Sequence, residues 1–281
     1  MPELPEVETV MRGLEPAMMN KEIKHVQKRR PDLRIPFPEN LEKALEGRAV
    51  QSLTRRAKYI LVHFDSDDVL VIHLGMSGRV LIVSDDDYQP EKHDHLILTM
   101  NDGTHIVYND PRRFGMVFLV SQDGMLSHKA FKDMGSEPLG NDFNAPILKE
   151  RLKGKKTSIK QALLDQRVVC GLGNIYVCEA LYEAGISPKA LAGSISLPRL
   201  EILTRKIKDV LARAIKAGGS SLKDFRQADG ELGYFQHSFL VYDREGHVCK
   251  GCKEEGYDKP CVKRIVQSGR STFYCMRRQK R

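Results

Sequence analysis

The first six residues, Met1-Pro2-Glu3-Leu4-Pro5-Glu6, contain groups that could do covalent chemistry. A small second residue favours removal of the initiator methionine, which would leave Pro2 with a free secondary amine. An α-amino group titrates near about 7.7–8.0, so a sizeable fraction is unprotonated at neutral pH. Such an amine could attack a sugar C1′ and form an iminium, with Glu3 and Glu6 supplying acid/base function. The alternative is structural: the proline stiffens the start of the chain and the glutamates complement a helix dipole.

The six cysteines fall into two groups. Cys170 and Cys178 lie in an apolar segment, which predicts buried, reduced packing residues. The other four lie in a basic C-terminal segment, and they are Cys249, Cys252, Cys261 and Cys275. In a cytosolic protein such a cluster indicates metal binding before disulfide formation.

The charge distribution favours a polyanionic partner. The net charge is +8, and the segment from Arg244 to Arg281 has 11 Lys and Arg residues against 4 Asp and Glu residues. A uniformly solvated surface would not concentrate charge in this way, so nucleic acid is the favoured partner. No apolar stretch approaches the roughly 20 residues that span a bilayer, and the first residues are acidic where a signal peptide is basic. We therefore expect a cytoplasmic protein, associated with the nucleoid through DNA, without a membrane partner.

Hydrophobic periodicity predicts one helix followed by a β-rich region. Residues 5–18 place Val7, Val10, Met11 and Leu14 on one helical face. Short apolar runs then predict strands, for example at 59–64, 69–74, 79–83, 95–100 and 104–108. Turn residues separate these runs at 65–68, 75–78, 85–87 and 101–103. Several short strands at this spacing are typical of an antiparallel sandwich or barrel.

Helices are predicted after about residue 122. The strongest helical pattern is Leu197–Ala217, which Gly218-Gly219 ends, and another helix follows Gly173. The tail alternates around a Ser268-Gly269 turn, which predicts a β-hairpin. The predicted division is a β domain at 1–121, a helical domain at 122–238 and a hairpin element at 239–281.

Seven segments together resemble the formamidopyrimidine-DNA glycosylase family. They are PELPEVETV at 2–10, RRAKY at 55–59, HLGMSG at 73–78, KHDH at 92–95, DPRRFG at 110–115, GLGNIY at 171–176 and QSGRSTFYC at 267–275. The resemblance implies an α+β, multi-domain fold with an N-terminal antiparallel β-sandwich, a helix-two-turn-helix domain and a zinc-finger-type β-hairpin. It also implies a base-excision-repair enzyme that removes 8-oxoguanine and formamidopyrimidines from double-stranded DNA and cleaves the abasic site by β,δ-elimination.

The resemblance assigns catalytic roles to four residues. Pro2 is implied to be the nucleophile that displaces the damaged base and forms a Schiff base, and Glu3 its acid/base partner. Lys58 matches the lysine that donates a proton during β-elimination, although without the family it reads as a strand-edge charge. Arg270 matches the arginine linked to δ-elimination and to phosphate clamping, and a guanidinium suits two phosphate oxygens.

Extruding a base leaves a hole in the duplex, which costs a few kcal/mol of lost stacking and pairing. The resemblance implies that Met76, Arg112 and Phe114 fill this hole. A flexible thioether and a flat ring can wedge between bases, and a guanidinium can hydrogen-bond the orphaned partner. The alternative is that Met76 and Phe114 are core residues, but glycines beside both favour exposed turns.

Further residues match positions that hold the DNA backbone around the lesion, and such contacts position a protein without reading sequence. They are His93, Arg113, Lys155, Lys156 and Asn174. The lysines would otherwise be a plain charge run, and which of the two binds phosphate is open. The segment Gly218–Tyr234 looks like the mobile loop that closes over the flipped base.

The cysteine tail departs from the family pattern. A family-type finger has two CxxC pairs flanking the hairpin, which is a strong zinc signature. Cys249 and Cys252 fit the first pair, but Arg278 stands where the fourth ligand is expected after Cys275. If the hairpin turns near 268–269, Cys261 lies opposite residues 276–277 and could complete a structural Zn²⁺ site. The alternative is a zinc-free hairpin with loose cysteines.

Two rival functions remain beside this one. The endonuclease VIII branch prefers oxidised pyrimidines and shares the proline and glutamate, but Leu4 and the Arg112–Phe114 loop favour the purine branch. A non-catalytic nucleic-acid-binding protein would have lost the chemistry, whereas Pro2, Glu3, Lys58 and Arg270 are all present. We expect a monomer that binds damaged double-stranded DNA and needs no nucleotide cofactor.

Overall fold

The computed structural model describes residues 2–84, 88–221 and 225–280. The chain forms two compact units, one of Met1–Lys132 with Ile215–Tyr234 and the other of Asp133–Ala214 with Phe235–Arg281. The elements of the first unit are α1 (Leu4–Met18), β1 (Ile23–Lys28), α2 (Leu41–Leu45), β2 (Val50–Arg56), β3 (Tyr59–Phe64), β4 (Asp68–His73), β5 (Arg79–Val83), β6 (Asp94–Met100), β7 (His105–Asn109) and β8 (Met116–Ser121).

Two four-stranded antiparallel sheets make up the body of the first unit. Their strand orders are β1-β6-β7-β5 and β2-β3-β4-β8. Buried side chains of both sheets belong to one hydrophobic core, which is the arrangement of a β-sandwich. Helix α1 packs against β2 and β3 and buries Val7, Val10 and Leu14 on one face, as its apolar spacing predicts.

The second unit is helical and ends in a β-hairpin. Its elements are α3 (Ala145–Leu152), α4 (Ile159–Leu164), α5 (Asn174–Glu183), α6 (Leu197–Lys216), α7 (Lys250–Glu254), β9 (Val262–Gln267) and β10 (Arg270–Cys275). Residues Leu200, Leu203, Ile207 and Leu211 of α6 are buried on one face, so this face of the helix belongs to the core. Ser268 and Gly269 both have positive φ, at 47° and 72°, as a tight two-residue hairpin turn requires.

The structure confirms the predicted α+β class, with an antiparallel β-sandwich and a C-terminal β-hairpin. Strands β3 and β5 have the predicted bounds, and β4, β6 and β7 differ from them by one residue. The predicted turn at 85–87 lies outside the described residues. The division at residues 121 and 238 stays a prediction. Within the described ranges, no helix is both long and apolar enough to cross a membrane.

Candidate active site and metal centre

The start of helix α1 places Pro2 and Glu3 side by side in buried positions. Glu3 is the N-cap of the helix. Glu6 Oε2 accepts a hydrogen bond from the backbone N–H of Glu3, and Glu6 Oε1 accepts one from the N–H of Ser220, each at 2.8 Å. Both oxygens of Glu6 therefore accept hydrogen bonds from backbone N–H groups. The Glu3 side chain accepts from the N–H of Glu6 in the same capping box and directly follows Pro2, so Glu3 is the nearer carboxylate for acid/base work.

Lys58 lies at the tight turn between β2 and β3. Ala57 takes a left-handed conformation there, with φ of 54°. Arg55 fixes the turn, because its Nε pairs with Oε2 of Glu8 at 2.7 Å and its Nη1 donates to the carbonyl of Ala57 at 2.9 Å. Glu8 belongs to α1, so the turn that carries Lys58 is tied to the helix that begins beside Glu3. Lys58 itself is buried, which is rare for a lysine without a function or a partner.

The two loops that carry the predicted void-filling residues are in direct contact. A Cβ atom on Gly75, whose φ is 61°, would lie 2.4 Å from the carbonyl carbon of Phe114. The fully buried Asp110 braces both loops, since its carboxylate accepts from the Ser77 hydroxyl at 2.6 Å and from the N–H of Gly115 at 2.9 Å. The loops therefore present their side chains as one rigid pair.

Met76 and Phe114 are exposed, at 37% and 44% of their side-chain surface, so neither is a core residue. The guanidinium of Arg112 lies 5.0 Å from the centre of the Phe114 ring. The sequence thus identified a set of exposed apolar and cationic side chains, although their insertion into DNA stays a prediction.

Two of the predicted DNA-backbone contacts lie near this loop. Arg113 is exposed on it, and the carbonyl of His93 accepts a hydrogen bond from the N–H of Asp110.

His73 supports this pair of loops in its neutral form. Its Nδ1 accepts from the N–H of Gly75 at 3.1 Å, and its ring lies 4.7 Å from that of Tyr59. Burial, with the positive charges of Lys58 and Arg34, lowers the pKa of His73 to about 4. The folded state therefore resists protonation at a pH where an unfolded histidine accepts it.

We expect this histidine to make the protein sensitive to acid. The folded pKa of His73 lies below the ordinary 6.5. The contribution of the neutral ring to the free energy of unfolding is therefore complete above pH 6.5 and declines as the pH falls towards 4. By pH 5 the loss is about 2 kcal/mol in the free energy of unfolding. His73→Asn keeps an acceptor for the Gly75 N–H and does not titrate. Urea unfolding at pH 7.5 and 5.0 should show a smaller acid loss in the variant, and equal losses would refute the assignment.

In the second unit the hairpin turn lies against the start of α5. Asn174, its first residue, donates from Nδ2 to the carbonyl of Ser271 at 2.9 Å, next to Arg270. The structure therefore brings together two of the predicted DNA-contacting residues. Arg270 is exposed at the turn, Lys155 is half-buried and Lys156 is exposed in the segment after α3.

Lys160 is a polar residue of this region that the sequence analysis missed. It is fully buried on α4, and its Nζ donates to the Thr272 hydroxyl at 2.7 Å and to the Ser271 carbonyl at 3.2 Å. It anchors the strand that follows Arg270. Its partners are more than a hundred residues away in the sequence, so no local pattern could have indicated its role.

The four C-terminal cysteines form one buried group in the second unit. Their sulfur atoms all lie within 4.8 Å of one another, and Sγ of Cys252 and Cys275 are 3.7 Å apart. Cys261 lies opposite the end of β10, as expected, since its carbonyl accepts from the N–H of Met276 at 3.0 Å. Its Sγ accepts from the N–H of Cys249 at 3.1 Å. These four thiols can hold a metal ion.

The thiols differ in acidity. Burial raises the pKa of Cys249, but hydrogen bonds from Tyr182 and from the backbone of Cys252 outweigh it and bring the pKa to about 7. Burial raises the pKa of Cys261 to about 11. Metal ligands must be deprotonated, so binding of a metal ion here would release thiol protons.

Comparison with known proteins gives matches along nearly the whole chain. The N-terminal domain model of formamidopyrimidine-DNA glycosylase matches residues 1–117, and the H2TH domain model of the same family matches residues 134–226. The second match confirms the predicted helix-two-turn-helix domain. The formamidopyrimidine-DNA glycosylase of Ruegeria pomeroyi is 52% identical and is covered in full, as is this chain.

Solved structures agree. A Lactococcus lactis enzyme variant in complex with Fapy-dG DNA has a TM-score of 0.89 and 34% identity, with full coverage of both chains. The Lactococcus lactis enzyme bound to DNA with an abasic site has the same score and identity, again over the full length of both. This chain therefore belongs to the formamidopyrimidine-DNA glycosylase family of enzymes.

Proposed function

We propose that this chain is a bifunctional glycosylase and lyase that removes 8-oxoguanine and formamidopyrimidines from double-stranded DNA. The observation that carries the proposal is the buried Pro2–Glu3 pair, whose backbone Glu6 holds in place. Once Met1 is removed, the Pro2 nitrogen attacks C1′ of the damaged nucleoside, the base leaves, and a Schiff base forms. Glu3 exchanges protons at the sugar during these steps. β-elimination and then δ-elimination leave a one-nucleotide gap.

The remaining site residues divide into three tasks under this proposal. Lys58 donates a proton during β-elimination, and Arg270 assists δ-elimination while it holds a phosphate. Met76, Arg112 and Phe114 fill the space that the extruded base leaves, and their exposure on a braced pair of loops supports this role. Backbone phosphates are held by His93, Arg113, Lys155, Lys156 and Asn174.

The loop at 218–234 is the proposed cover of the extruded base. Glu6 joins the start of this loop to α1 through the N–H of Ser220. Residues 222–224 of the loop lie outside the described part of the chain. The DNA complexes of the similar Lactococcus lactis proteins support damaged duplex DNA as the partner. We propose that the chain acts on it as a monomer, without a nucleotide cofactor.

The proposed metal is a structural Zn²⁺ held by Cys249, Cys252, Cys261 and Cys275. Tetrahedral ligation at Zn–S distances of about 2.3 Å places sulfur atoms roughly 3.8 Å apart. The 3.7 Å between Sγ of Cys252 and Cys275 fits that spacing. The ion would connect α7 to the hairpin and stabilise their packing, and it would take no part in the reaction.

Borohydride trapping tests the proposed reaction. Reduction of a Schiff base joins enzyme and DNA covalently, so a duplex with 8-oxoguanine should yield a stable adduct with the wild-type chain. A matched duplex with thymine glycol should react at least about tenfold more slowly, because the proposed pocket selects purines. Absence of any adduct would favour a non-catalytic DNA-binding protein. Preference for thymine glycol would favour the endonuclease VIII branch.

A further inference from the structure

Tyr182 of α5 touches the cysteine group although it has no part in the proposed reaction. It is buried and packs in the same cluster as the four thiols. Its hydroxyl accepts a hydrogen bond from the N–H of Gly251 at 3.1 Å, and Gly251 lies between Cys249 and Cys252 in the sequence. The hydroxyl therefore holds the backbone turn that connects two of the four metal-binding thiols.

Arg278 lies on the other side of this turn. Its guanidinium covers Gly251 so closely that a Cβ atom there would lie 2.7 Å from Cζ. The guanidinium is also paired with Glu255. Arg278 thus places a cation against the turn that connects Cys249 and Cys252, and the absence of a side chain at Gly251 makes room for it.

A metal centre of four thiolates needs such groups. Four thiolates around a divalent ion leave a net negative charge, and burial makes this charge costly unless nearby groups offset it. Hydrogen bonds to ligand atoms also fix their orientation, and loss of such partners typically lowers metal affinity about 10- to 100-fold. Arg278 supplies a cation against the turn that connects Cys249 and Cys252, and Tyr182 holds the backbone of the same turn.

We propose that Tyr182 and Arg278 are positioning residues of the metal centre, which hold the turn of Cys249 and Cys252 in its ligating conformation and slow the release of the ion. The inference rests on the zinc site proposed above and is independent of the glycosylase reaction. Arg278 then acts in the outer layer of the centre, while Cys261 supplies the fourth thiol.

Release of zinc from the full-length, zinc-loaded chain to an excess of a chromogenic chelator measures this role. Tyr182→Phe removes only the hydroxyl and should release zinc about 10- to 100-fold faster than the wild type. Tyr257→Phe is the matched control, because Tyr257 packs against the same cluster but its ring lies under the guanidinium of Arg277, at 3.6 Å. It should release zinc at the wild-type rate.

A second pair of variants tests the cation. Arg278→Met should accelerate zinc release, by less than Tyr182→Phe, because the side chain is 38% exposed and solvent screens its charge. Arg277→Met changes the neighbouring arginine, which stacks on Tyr257, and should leave the rate unchanged. Equal release rates in these two variants would remove Arg278 from the proposal.

Cobalt substitution separates a positioning role from a loss of stability. The thiolate-to-cobalt absorption reports the charge on the sulfur atoms, so Tyr182→Phe should shift this band, whereas Tyr257→Phe should not. An unshifted band together with unchanged zinc release would overturn the inference and leave the zinc site intact.

The metal content of purified, reduced protein tests the site on which the inference depends. The wild type should contain about one zinc per chain, Cys261→Ser should lose it, and Cys170→Ser, which changes a buried cysteine outside the group, should retain it. Zinc-free wild-type protein would refute both the metal site and its outer layer. Borohydride trapping would still decide the glycosylase reaction separately.

Discussion

A chain that retains Met1 should lose the covalent adduct with damaged DNA by at least about 10³-fold. Pro2→Leu places a large residue at the second position, which blocks removal of the initiator methionine. The reactive nitrogen then belongs to Met1, one residue and up to about 3.8 Å further along the chain. Misplacement by even about 1 Å can cost about 10²-fold in rate, so the displaced amine should not reach C1′.

Pro2→Gly is the matched control, because a small second residue again permits removal of Met1 and leaves a free amine at position 2. Its adduct should form, more slowly than in the wild type. Mass spectrometry of each intact protein establishes whether Met1 is present, and binding to a duplex with a tetrahydrofuran abasic analogue shows that the DNA interface is unchanged. A Met1-bearing Pro2→Leu chain that is trapped as efficiently as the wild type would refute the nucleophile.

Strands β3 to β7 of the first unit were predictable because turn residues and alternating apolar residues coincide there. Strand β3 is bounded by the Ala57-Lys58 turn and by the acidic segment after Phe64. The structure gives this strand the bounds that the sequence pattern predicts. Helix α2, five residues long, was not predicted, because so short a helix has little periodicity of its own and depends on tertiary packing.

The sequence indicated the candidate site through its resemblance to the glycosylase family more than through local spacing. Pro2, Glu3, Met76 and Phe114 were assigned from that resemblance, and the glycines beside both loops predicted the exposure that Met76 and Phe114 show. The anchors of the site depend on long-range contacts instead. Lys160 donates to Thr272 of the hairpin, and Asp110 accepts from Ser77 of the neighbouring loop. The partners of each pair are far apart in the sequence, so no local pattern predicts these contacts.

Glu3→Gln should lower base excision by about 10²–10⁴-fold while DNA binding is retained. Glutamine has nearly the same shape and can still accept hydrogen bonds, so the N-cap position of α1 should tolerate it. What it loses is the ability to exchange a proton with the sugar. Glu6 cannot replace it, because both Glu6 oxygens already accept from backbone N–H groups.

Single-turnover excision of 8-oxoguanine measures this loss without interference from product release. Glu15→Gln makes the same change on the same helix, at a half-buried position whose side chain lies three turns away from Glu3, and should excise at the wild-type rate. If Glu3→Gln retained near wild-type excision, the proton would have to come from another group, and Lys58 would become the acid to test. If the variant also lost affinity for the abasic analogue, the carboxylate would hold DNA rather than drive the reaction. The proposed division of labour, with the amine of Pro2 as nucleophile and Glu3 as proton carrier, requires excision to fall while binding stays.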